Sequence, residues 1–62
     1  MPVEEFVNEL SQLKAVLVLK QGIDLERFNQ LYNEATQFMI EGKQVNKQMM
    51  EEFFYFRNQI EQ

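Results

Sequence analysis

Val3, Phe6, Leu10, Leu13 and Leu17 follow one another at steps of three and four, with Val7 at the edge of the same arc. That is the period of one helix face. The pattern recurs in Leu25, Phe28, Leu31, Tyr32, Ala35, Phe38 and Met39, opposite a polar side of Glu26, Asn29, Gln30, Asn33, Glu34 and Gln37. A third set, Val45, Met49, Phe53, Phe56 and Ile60, gathers on one side of a wheel turned about 100° per residue. These sets predict helices over residues 2–20, 24–41 and 46–60. "AVLVL" has the composition of a strand, but no second strand exists to pair with it, and an unpaired strand leaves its backbone groups unsatisfied.

The punctuation agrees with three helices. Pro2 fits a first helical turn, where its missing N–H costs nothing, and Glu4 and Glu5 then face the positive end of the helix dipole. Lys20 is expected in the last turn of the first helix, and Gly22 as the left-handed residue that stops it. Asp24 reads as an N-cap, with Ile23 and Phe28 placed as a hydrophobic staple. The second turn repeats this logic: Gly42 as stop, Asn46 as cap, Val45 and Met50 as staple. A rival reading runs the second and third helices together through Gly42, at a cost of about 1 kcal/mol for a helical glycine. The cap and staple after Gly42 favour the break. The expected fold is a single all-α domain over residues 1–62, a three-helix up-down-up bundle completed by its own packing, by self-association or by a partner.

Apolar residues remain once the core faces are assigned. The run "FFYF" at 53–56 points rings nearly all the way round its helix. Phe53 and Phe56 belong to the core set; Phe54 falls on a second face beside Met50, flanked by Arg57, and Tyr55 leaves the core in the other direction. In the first helix Val16 and Leu19 lie outside the core arc. With the first and third helices parallel, Val16 and Leu19 are expected to join Met50, Phe54, Tyr55 and Arg57 in one patch at one end of the molecule. Short helices also need wide apolar arcs, and singly exposed apolar side chains are normal. Against that, contiguous apolar patches mark interaction sites, and aromatic, Met and Arg side chains are enriched in interface cores.

Composition narrows the function. A chain of 62 residues buries only about 60% of the surface its unfolded form exposes, so stability is marginal. Without cysteine there is no disulfide, and without histidine as well a zinc site or a nucleophile–base pair cannot be built from the usual groups. Ser11 is the only serine and Thr36 the only threonine. The adjacent carboxylates Glu4/Glu5 and Glu51/Glu52 diverge by about 100° on a helix, so neither pair shares a site. No glycine-rich phosphate loop or calcium loop is present. The expectation is therefore no enzyme, no cofactor, no metal and no small-molecule substrate.

A net charge of −4 argues against nucleic acid and anionic lipid as partners. Asn46, Lys47 and Gln48 could open a recognition helix, but Glu51 and Glu52 follow at once. The longest apolar run, five residues, is far below the roughly 18 needed to span a bilayer, and the acidic N-terminus has no signal-peptide character. A cytoplasmic location is expected. The functional expectation is a small acidic protein-binding module, a regulator, inhibitor or adaptor. The alternative is a self-associating structural or assembly protein, a homodimer that uses the same face.

Overall fold

The computed structural model describes residues 1–61 as three helices, α1 (Val3–Leu17), α2 (Leu25–Glu41) and α3 (Lys47–Glu61). Each helix packs on both others, in a body of 34 × 16 × 16 Å. The first residues of α1 share an open depression with the turn between α2 and α3. At the other end Lys20, just past α1, reaches the Gln59 carbonyl near the end of α3. So α1 and α3 run parallel with α2 between them in the opposite sense, the up-down-up order.

The core is the one the spacing predicts. Phe6, Val7, Leu10, Leu13 and Leu17 of α1 are buried with Phe28, Leu31 and Ala35 of α2 and Met49, Phe53 and Phe56 of α3. Ile23, Leu25, Tyr32, Phe38, Met39, Val45, Met50 and Ile60 pack around them, half-buried. Two ring contacts hold the helices in register. Phe6 meets Phe53 with centroids 5.5 Å apart, and Phe28 meets Phe56 edge-on at 5.2 Å. Such pairs add about 0.5–1.5 kcal/mol beyond the area they bury. No buried polar side chain is left without a partner among the described residues. The Tyr32 hydroxyl lies 3.0 Å from Ser11 Oγ, and Ser11 donates its one proton to the Val7 carbonyl at 3.1 Å. Tyr32 is therefore the donor to Ser11, which ties α2 to α1.

The chain breaks at Gly42, and the continuous reading of the last two helices is excluded. Gly42 has φ 72°, its N–H bonds to the Met39 carbonyl at 3.3 Å, and the Lys43 N–H bonds to the Phe38 carbonyl at 2.8 Å. That is a Schellman closure. Asp24 caps α2 by accepting from the Arg27 N–H at 3.0 Å, and Asn46 caps α3 by accepting from the Met49 N–H at 2.9 Å.

The end of α1 departs from expectation. The helix stops at Leu17 rather than at residue 20. Leu19 and Lys20 donate instead to the carbonyls three residues back, Val16 and Leu17, in tight turns. The β-branched Val16 and Val18 are weak helix formers, and Lys20 is drawn away to Gln59. Its ammonium thus serves the negative end of α3, not that of its own helix.

Candidate functional site

The sequence singles out Met50, Phe54, Tyr55, Arg57, Val16 and Leu19. Phe53 and Phe54 are adjacent and chemically identical, yet Phe53 is 2% exposed and Phe54 42%. The reason is angular: Phe53 points at Phe6 of α1, and the next residue is turned by about 100°. Tyr55 is turned further and is 43% exposed. The two exposed rings sit on opposite flanks of α3. Phe54 lies against Phe53 at 5.7 Å on the flank nearer α1, and Tyr55 lies against Phe56 at 5.2 Å on the flank nearer α2.

Each exposed ring has a guanidinium over it. Arg57, one turn on from Phe53 and Phe54, stands 5.1 Å from the Phe54 centroid and 5.7 Å from that of Phe53. Arg27, from the first turn of α2, stands 4.4 Å from the centroid of Tyr55. A cation over a ring face is worth about 0.5–1 kcal/mol at an exposed site. Arg27 is fixed by Glu52, whose two carboxylate oxygens accept from its Nε at 2.9 Å and from its second terminal nitrogen. This hydrogen bond holds the Glu52 carboxyl below the usual carboxylate range and raises Arg27 above its ordinary value. Both side chains are partly exposed, so salt and water screen the pair. A similar surface cluster lowers Glu41, which accepts from the Gln37 amide at 2.8 Å and pairs with Lys43 at 3.0 Å.

Phe54 and Arg57 lie together on one flank of α3, Tyr55 lies on the other, and Val16 and Leu19 are exposed at the C-terminal end of α1. Met50 is half-buried against the core, beside the exposed Phe54 and Arg57. The start of α1 lies beside the turn that leads into α3, and Lys20, just past α1, reaches Gln59, so the C-terminal halves of α1 and α3 lie at the same end of the bundle. Val16, 45% exposed, and Leu19, 85% exposed, stand with Val18 at the end of α1, where the chain enters the α1–α2 turn. Val18 and Ile40 are exposed too and were not singled out; Ile40 is the one large aliphatic on the polar side of α2, a signal the sequence carries.

The cleft between α2 and α3 is shallow, open and mostly polar, lined by Arg27, Gln30, Leu31, Glu34, Gln48, Met49 and Glu52. Among the described residues no three His, Cys, Asp or Glu side chains come together in a way that could hold a metal ion, and no helix is long and apolar enough to cross a membrane. The outer face of α3 carries Phe54, Met50 and Arg57 on one flank and Tyr55 with Arg27 on the other. No protein family, curated protein or solved structure matches the chain.

Proposed function

We propose that this chain acts by binding protein through the outer face of α3, as a regulator, inhibitor or adaptor with no chemistry of its own. One observation carries the reading. Phe54 keeps two-fifths of its surface in water on a chain too small to waste apolar area, and it sits with Met and Arg, types enriched in interface cores. Full burial of a Phe is worth roughly 1.5–3 kcal/mol, a useful anchor for a contact centred on it. The absence of histidine and cysteine from the sequence supports a role without catalysis. A cytoplasmic location fits the cysteine-free composition.

Neighbouring substitutions test it. Phe53→Ala is expected to cost about 3–5 kcal/mol and to melt the fold, as for other buried Phe residues. Phe54→Glu is expected to keep the helical circular dichroism of the parent and to lose association with protein, whether read by light scattering or by affinity purification from the native host. If Phe54→Glu leaves every association unchanged, the outer face of α3 is not the contact surface.

A further inference from the structure

We draw no further inference here: the strongest candidate, the flank of α3 where Phe54 stands exposed beside the half-buried Met50, belongs to the face already described, and nothing in the structure shows what covers it.

Discussion

The two turns of this protein carry the same punctuation and end their helices differently. Gly22 and Gly42 both take positive φ, 82° and 72°, and each is followed by an aliphatic residue and a capping side chain, Ile23–Asp24 and Val45–Asn46. At the second turn α2 continues to the residue before Gly42 and closes with both Schellman bonds. The Lys43 ammonium then lies 5.4 Å over the Phe38 ring. At the first turn α1 gives out five residues before Gly22, and Val18 and Leu19 are left in water. A glycine permits a helix to stop but does not choose where. In the second case local hydrogen bonds make the choice. In the first, weak helix formers and the distant Gln59 carbonyl make it.

The glycines test this contrast most severely. A Cβ at either would meet nothing within 4 Å, so Ala at each is disfavoured through backbone conformation alone. Gly42→Ala is expected to cost about 1–2 kcal/mol, the penalty of a left-handed L-residue. Gly22→Ala should cost visibly less, because no closing bonds hold its φ and the longer turn can relax. Urea melts of the two variants check the order, and equal losses would remove the distinction. A stabilised Gly42→Ala would contradict the break itself.

The caps are expected to be alike where the helix ends are not. Asp24→Ala and Asn46→Ala should each cost about 1 kcal/mol, since each deletes one side-chain acceptor for an N–H in the first turn. Asp24→Asn keeps an oxygen in place and should cost much less. If Asp24→Asn and Asp24→Ala melt together, the hydrogen bond to Arg27 is not what Asp24 contributes.

The smallest effect belongs to the tie that sets the first turn apart. Lys20→Met removes a cation from the C-terminal end of α3 while keeping the apolar stem, and should cost about 0.3–1 kcal/mol, less in high salt. Amide hydrogen exchange should quicken both in the last turn of α3 and in residues 18–22. Faster exchange in only one of the two places would mean that Lys20 does not couple them.

Most of the fold was legible in advance because its causes are local. Helix type follows from the period of apolar residues, and Asp24, Asn46 and Gly42 act on backbone groups three to five residues away. The same wheel separated Phe53 from Phe54, since a turn of about 100° per residue depends on the helix alone. The candidate face was only half legible. Met50, Phe54 and Arg57 share a flank of one helix because of their spacing alone. Arg27 over Tyr55 could not be anticipated, because the two are far apart in the chain and meet only when α2 packs on α3.

By itself the sequence determined three amphipathic helices, two breaks, two caps and which side of each helix is apolar, all consequences of the backbone's own geometry. Tertiary structure decided the heights at which the helices pass one another. It brought Phe53 of α3 against Phe6 of α1 and Arg27 of α2 over Tyr55 of α3. It also sent Lys20 to another helix. Height is fixed by how rings and side chains of different elements fit together, and no residue's own preference for helix contains that information.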